Sequence, residues 1–232
     1  MCKFAGMPSR MENKLWCALL VHCVGLVLGL AFARTGYDRL GYLGIALVSS
    51  GLLFRVWYSD PGVLAKRNED YKRRVKFADG AYVVLEEGGS MVGRIVTLGK
   101  LKQVEPFCTS CGIFRPEHAF HCRDCRRCIA RMDHHCPWIG NCIGEKNYPD
   151  FMALLGCETL QGVYAIFLRL RYGWHSLEWS WPCFWFYAGL WVALLLFLLI
   201  FGLWGYFVIL SAHGKTARAF CRERKGKKDV GV

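Results

Sequence analysis

The sequence predicts an α-helical integral membrane protein, with four transmembrane helices and a cytosolic metal-binding domain between the second and third. Three observations predict it. In 232 residues, a 54% hydrophobic content coexists with a formal charge of +12, a combination soluble domains seldom need, and the two properties occupy different stretches of chain. Several apolar runs are long enough to cross a hydrocarbon core of ~30 Å as helices. Seven of the 13 cysteines crowd between Cys108 and Cys142.

The first run, residues 15–33, is uncharged and lies between Lys14 and Arg34. Ala31-Phe32-Ala33 also resembles a signal-peptide cleavage site, but the apolar stretch exceeds the ~7 to 15 residues usual for such leaders. The second run, residues 40–58, carries only Arg55, whose long side chain can snorkel to the interface beside Trp57 and Tyr58. The third, residues 151–168, is weaker because it includes Glu158 and Gln161. These lie three apart on one helical face and so should look into the bundle. The fourth, residues 183–210, has no charge.

Lysine and arginine set the orientation. Residues 1–14 hold three, 59–78 six, 131–150 two and the tail from Ser211 seven, whereas the short connections 34–39 and 169–182 hold two each. The positive-inside rule then puts both termini and the loop 59–150 in the cytosol, which an even number of spans requires. A basic tail beside a membrane helix reads as attraction to anionic lipid rather than to nucleic acid.

The resulting division is 1–58 for the N-terminus and two spans, 59–107 for a linker, 108–150 for the cysteine-rich domain, 151–210 for two further spans, and 211–232 for a basic tail. Within the linker, Asp60-Pro61-Gly62 is a turn signal that ends the second helix. Residues 66–76 form a basic stretch expected to lie as a helix on the headgroups. Residues 81–85 and 94–98 are rich in β-formers around Glu86-Glu87-Gly88-Gly89, predicting a small hairpin. Beyond Pro106 the chain is too poor in large aliphatics to fold around an apolar core, and metal can hold it instead.

The cluster reads Cys108-x2-Cys111, His121-Cys122-x2-Cys125-x2-Cys128, Asp133-His134-His135-Cys136-Pro137-Trp138 and Asn141-Cys142. Paired thiolates two residues apart reach one tetrahedral zinc from a tight turn, and several pairs in succession are a strong zinc signal on the reducing side of a membrane. Seven cysteines and four histidines offer eleven donors, whereas two Cys3His sites need eight. Spacing groups Cys108 and Cys111 with an intervening Cys and His, and Cys122 and Cys125 with a later pair, and leaves the partition open.

Together with Asn-Cys-x-Gly-x-x-Asn at residues 141–147, these motifs resemble the cysteine-rich domain of the DHHC protein S-acyltransferases, or palmitoyltransferases. The resemblance runs from Cys108 to Phe151, and the order of spans and Asp60-Pro61-Gly62 also agree. It implies that Cys108, Cys111, His121 and Cys128 hold one structural zinc and Cys122, Cys125, His135 and Cys142 a second. His118, His134 and Cys136 remain.

Of these, Cys136 is the thiol without a metal, and residues i and i+2 of an extended chain share a face. His134 can therefore take the Cys136 proton while His135 turns to zinc, and Asp133 would orient His134, provided the chain bends there. The resemblance implies palmitoyl-CoA as acyl donor, a Cys136 thioester intermediate, and cysteines of membrane-associated proteins as acceptors, in an endomembrane such as the Golgi or ER. Arg115, Arg123, Arg126, Arg127 and Arg131 are candidate contacts for the CoA phosphates, and Trp138 a candidate cap on the acyl cavity.

Two positions depart from the family pattern. His118 stands where an Arg is usual, and the Thr-Thr-x-Glu expected after the fourth span reads Thr216-Ala217-Arg218-Ala219, without the acid. That second change raises the alternative of a non-catalytic membrane scaffold that keeps the zinc fold, against which the intact Asp133 to Cys136 segment argues. A channel or transporter is disfavoured, since the spans lack a repeated polar face.

Overall fold

A computed structural model describes residues 35–65, 93–98, 101–173 and 181–221, together with Cys23. Among the described residues, three helices have the length and apolarity to cross a membrane. They are α1 (Gly36–Tyr58), α2 (Tyr148–Gly173) and α3 (Trp181–Ala212). The first predicted span, residues 15–33, and the predicted basic helix, residues 66–76, lie outside the described residues.

Helix α1 starts at a capping box. Thr35 accepts from the Asp38 amide through Oγ1 at 3.1 Å, while Asp38 reaches back to the Thr35 amide, so two amides with no intrahelical partner are satisfied. Helices α1 and α2 are joined by polar pairs, each of which spares a buried group the cost of meeting lipid unpaired. Ser49 bonds Glu158, Gln161 Nε2 donates to Tyr42 Oη at 3.1 Å, and Tyr172 Oη donates to Asp38 at 2.5 Å. Glu158 and Gln161 thus face the bundle, as their spacing predicts. Helix α2 is longer than the apolar run that predicts it. Arg169 is accommodated because it packs over Gly189 of α3, and Arg171 because it lies over the Phe167 and Tyr172 rings.

Between α1 and α2 the chain forms short antiparallel ladders instead of a layered core. β1 (Gly93–Leu98) pairs with β2 (Leu101–Cys108), and β2 with β3 (Ile113–Phe114). β4 (Phe120–Cys122) pairs with β5 (Arg127–Ile129), and β6 (His134–Cys136) with β7 (Asn141–Ile143). The predicted strand at 94–98 is present, but its partner among the described residues follows it. Residues 81–85 lie outside them. β2 begins at Leu101 and ends on the first cysteine of the cluster.

What fixes this domain on the helices is local and polar. The buried Asn141 side chain donates to the carbonyls of Val56, Trp57 and Ser59, capping the C-terminal end of α1, while its Oδ1 accepts from the Cys142 amide. Val56 O also accepts from the Ser59 hydroxyl at 3.1 Å, so the end of α1 is closed from both sides. Asp60 accepts from the Gly62 and Val63 amides and from Lys146 at 2.8 Å. The turn it makes delivers Gly62 and Leu64 to backbone bonds with Ala130 and Cys128. Gly144 lies so close beneath that a Cβ there would meet the Pro61 carbonyl oxygen at 2.4 Å. An alanine would force the linker off the domain.

At its far end α3 stops in a Schellman turn. Lys215 N bonds Leu210 O, Gly214 N bonds Ser211 O, and Gly214 adopts φ +64°, a conformation only glycine takes freely. Thr216 then caps a short helical turn at 217–221, with its hydroxyl accepting from the Ala219 amide at 3.2 Å.

A candidate acyl-transfer site between two metal clusters

Two sets of donors converge. Cys108, Cys111, His121 and Cys128 form one, and Cys122, Cys125, His135 and Cys142 the other, with the ligand atoms of each set within 4.8 Å of one another. His121 Nδ1 lies 3.4, 3.3 and 3.8 Å from the sulfurs of Cys108, Cys111 and Cys128. His135 Nδ1 lies 3.6, 3.5 and 3.5 Å from those of Cys122, Cys125 and Cys142. A tetrahedral Zn²⁺ with Zn–S of ~2.3 Å and Zn–N of ~2.0–2.1 Å has donor–donor edges of roughly 3.6–3.8 Å. The donor set and its dimensions therefore fit a closed four-coordinate ion.

The thiols themselves favour a cation. In the second set the Cys122 thiol is pushed down, chiefly because Cys125 and Cys142 hydrogen-bond its sulfur, whereas Cys142 is pushed up by its hydrogen bonds to Cys122 and Cys125 and by burial. One thiolate can be solvated by its neighbours' S–H groups, and further ones need a metal charge. Each histidine enters from a strand, His121 from β4 and His135 from β6, and each β-ladder carries a second ligand on its partner strand, Cys128 on β5 and Cys142 on β7.

Strand alternation sends the neighbours of His135 to the other side. Cys136 is 7% exposed and belongs to a cluster with Leu53 and Val56 of α1, Phe151 and Leu154 of α2, and Phe207 of α3. It is the domain's one described cysteine outside both metal sets. His134 lies flat on Phe207, with centroids 5.5 Å apart and planes at 22°, and edge-on to Phe151 at 5.4 Å. Two aromatic faces thus fix the plane of the ring.

Asp133, 2% exposed, stands just before β6 and still reaches His134, whose Nδ1 lies 2.7 Å from its Oδ2. A carboxylate can only accept, so Nδ1 carries the proton and the other ring nitrogen is left for Cys136. Burial alone would lower His134, but hydrogen bonds to Asp133 and to Cys136, with the charges of both, outweigh it and raise the imidazole to about 9.

The second Asp133 oxygen is held from an unexpected quarter. The amide of Ala217 donates to Oδ1 at 2.6 Å. The donor is a main-chain N–H in the first turn after the Thr216 cap, so the side chains that depart from the family pattern at 217 and 219 do not make this contact. Beside it, the Arg218 guanidinium lies 4.6 Å over the Phe120 ring on β4, which pins the tail to the metal domain.

The five predicted arginines do not gather in one place. Arg123 and Arg126 are exposed on the β4–β5 turn, Arg127 is half-buried on β5, and Arg115 follows β3 with a buried Nε lacking a partner. Arg131 instead lines a cleft with the end of α3. Trp138, 60% exposed, stands two residues beyond Cys136. His118 is exposed, has φ +59° and lies 3.4 Å from Glu117, away from the metal sets.

The motif reading gave no role to Asn141, the Ala217 amide or Phe207. Asn141 sits in a recognised motif, and an asparagine just before a ligand is the signal that could have found it. Nothing in the side-chain sequence marks the other two.

Residues 102–224 match the family model for the DHHC palmitoyltransferase domain. The chain is 51% identical over 59 residues to probable protein S-acyltransferase 1 of Arabidopsis thaliana, covering 25% of this chain and 18% of that protein. It is 37% identical over 105 residues to palmitoyltransferase ZDHHC14 of Homo sapiens, covering 44% and 21%. It is 32% identical over 197 residues to palmitoyltransferase ZDHHC5 of Bos taurus, covering 84% and 25%. The matches span a quarter or less of these three relatives. Since the matched domain takes in both metal sets, the Asp133 to Cys136 segment and the tail that braces it, the chain belongs to the DHHC palmitoyltransferase family.

Proposed function

We propose that the protein is an S-acyltransferase. It moves a long-chain acyl group, palmitoyl, from acyl-CoA through an S-acyl-Cys136 intermediate to cysteines of membrane-associated proteins. The observation that carries this reading is the 2.7 Å Asp133–His134 hydrogen bond beside a buried Cys136 that belongs to neither metal set.

The chemistry follows from those groups. The Cys136 S–H proton passes to His134 while Asp133 stabilises the imidazolium formed. The thiolate attacks the thioester carbonyl, the new C–S bond forms, the bond to the CoA sulfur breaks, and His134 returns the proton to that leaving sulfur. In the second half an acceptor thiol gives its proton to His134, attacks the Cys136 thioester and carries the acyl group away, and Cys136 regains the proton. Thioester is exchanged for thioester, so the direction follows supply. The apolar cluster around Cys136 suits an acyl chain entering from the bilayer, while Arg115, Arg123, Arg126, Arg127 and Arg131 supply cations for the CoA phosphates.

Two zinc ions are assigned a structural role, because each set offers four protein donors and leaves no open position. The proposed architecture has four spans, residues 15–33 supplying the first, with both termini and the metal domain in the cytosol of an endomembrane.

The test incubates zinc-replete protein with labelled palmitoyl-CoA and follows hydroxylamine-sensitive label. Label is expected on the parent and not on Cys136→Ser. Equal labelling of the two refutes Cys136 as nucleophile, and an unlabelled, folded parent refutes the enzyme.

A further inference from the structure

Ala217 and Ala219 have no side chain with which to hold the metal domain, and the residue between them is a cation, Arg218. The short turn that carries all three is seated on two apolar clusters at once. Ala217 and Phe220, three apart and so on one face of a helical turn, pack against the cluster that contains Cys136. Arg218 reaches the other way. Its guanidinium lies 4.6 Å over the Phe120 ring, and Nη1 donates to the Met132 sulfur at 3.6 Å. Met132 is part of the second cluster, with Cys122, Ile129 and Cys142, and Phe120 packs against it.

The two contacts of the turn fall on neighbouring residues of the metal domain. The Ala217 amide holds Asp133 Oδ1 at 2.6 Å, and Arg218 holds Met132, the residue before it. A single main-chain bond would leave the turn free to pivot about it, and a second contact one residue along removes that freedom. Both anchors are themselves fixed. Met132 is 1% exposed, and Phe120 opens the strand that continues into His121 and Cys122, one donor of each metal set. A planar guanidinium suits the pair, because it can stack on the ring while an N–H at its edge meets the sulfur.

We infer that Arg218 is a positioning residue, which clamps the tail turn to Phe120 and Met132 and thereby sets the Ala217 amide on Asp133. A cation does here what Ala217 and Ala219 have no side chain to do. The consequence for acylation rests on the acyltransferase reading, whereas the clamp does not, so both are measured.

Zinc-loaded parent, Arg218→Gln, Phe120→Leu and the double variant are compared by deuterium exchange at the Ala217 amide and by the initial rate of Cys136 acylation. Arg218 is exposed, so its replacement leaves both clusters intact. Loss of a cation from an exposed aromatic face should speed exchange about two- to fivefold. Adding Arg218→Gln to Phe120→Leu should speed it by less than it does in the parent. Acylation should slow about two- to fivefold in Arg218→Gln, and Arg218→Gln should cost nothing further in Ala217→Pro, where the N–H is already gone. Unchanged exchange in Arg218→Gln at equal zinc content overturns the clamp. A rate loss that persists undiminished in the Ala217→Pro background overturns the positioning role. A parent that fails to acylate while exchange responds as expected refutes the acyltransferase reading alone.

Discussion

Replacing Ala217 with proline deletes one atom that the structure makes important and leaves the rest of the tail in place. Ala217 is the first residue of the short helical turn capped by Thr216, and proline is well tolerated at that position because its fixed φ is already helical and its missing N–H has no helical partner. Thr216, as the cap, takes the extended backbone that a following proline demands. What disappears is the N–H that donates to Asp133 Oδ1 at 2.6 Å. A hydrogen bond to a charged group contributes about 1.5–3 kcal/mol, and Asp133, at 2% exposed, has no water to substitute for the donor. If that energy holds the carboxylate against His134 in the transition state, initial acylation of Cys136 should fall about 10- to 100-fold. Ala217→Gly keeps the N–H and should stay within about threefold of the parent. The assay is the initial rate of hydroxylamine-sensitive label from palmitoyl-CoA, with zinc content measured on the same samples. A proline variant that acylates as fast as the glycine variant would refute the claim that the main-chain donor, and not the missing family side chains, braces the site.

Asp133→Asn should be slower still, by roughly 10³-fold or more, since its amide presents a donor to Nδ1 and favours the wrong imidazole tautomer; a nitrogen-15 spectrum of His134 should report the switch. Asn141→Ala removes the side-chain donor from the Trp57 and Ser59 carbonyls and the acceptor from the Cys142 amide, while Val56 O keeps the Ser59 hydroxyl, and should lower the stability of zinc-loaded protein by about 2–4 kcal/mol in thermal unfolding. Asp60 would be raised by burial, but Lys146 and the Val63 and Gly62 amides hold it down at about 2. A depressed carboxylate stabilises above its unfolded value of ~3.9 and loses that contribution only as the pH falls through about 2. The stability difference between parent and Asp60→Asn should therefore be flat from pH 5 to pH 8, and a slope in that window would contradict the assignment. Cys108→Ala should cost both metals rather than one, as read by metal content, because the β4–β5 ladder carries ligands of each set.

The presence of two donor sets was legible in the spacing of the thiols, whereas their partition came only from the resemblance to the family; the structure brings together the same two groups of four. Alternation along His134, His135 and Cys136 was equally readable, since a strand has only two faces. The helix bounds were less so. Apolarity ends α2 before Arg169, yet the helix continues to Gly173, because the packing of that arginine over Gly189 depends on a neighbour about twenty positions away in sequence. The predicted hairpin partner of residues 94–98, residues 81–85, lies outside the described residues; among the described residues the strand pairs with Leu101–Cys108, whose opening Leu-Lys-Gln carries little β signal. The altered Thr216 to Ala219 segment looked like a defect for a more basic reason. A sequence prints side chains, and the group that meets Asp133 belongs to the main chain.

The interleaving of the two metal sets has a consequence for how the protein is made. Ligands of the second set, Cys122 and Cys125, lie inside the interval closed by Cys108 and Cys128, and the last of the eight, Cys142, precedes α2. The ribosome therefore finishes every metal ligand before it begins the next apolar helix. All eight donors are thus in the chain before the residues of α2 are made, and the domain needs nothing from the later helices to complete either set.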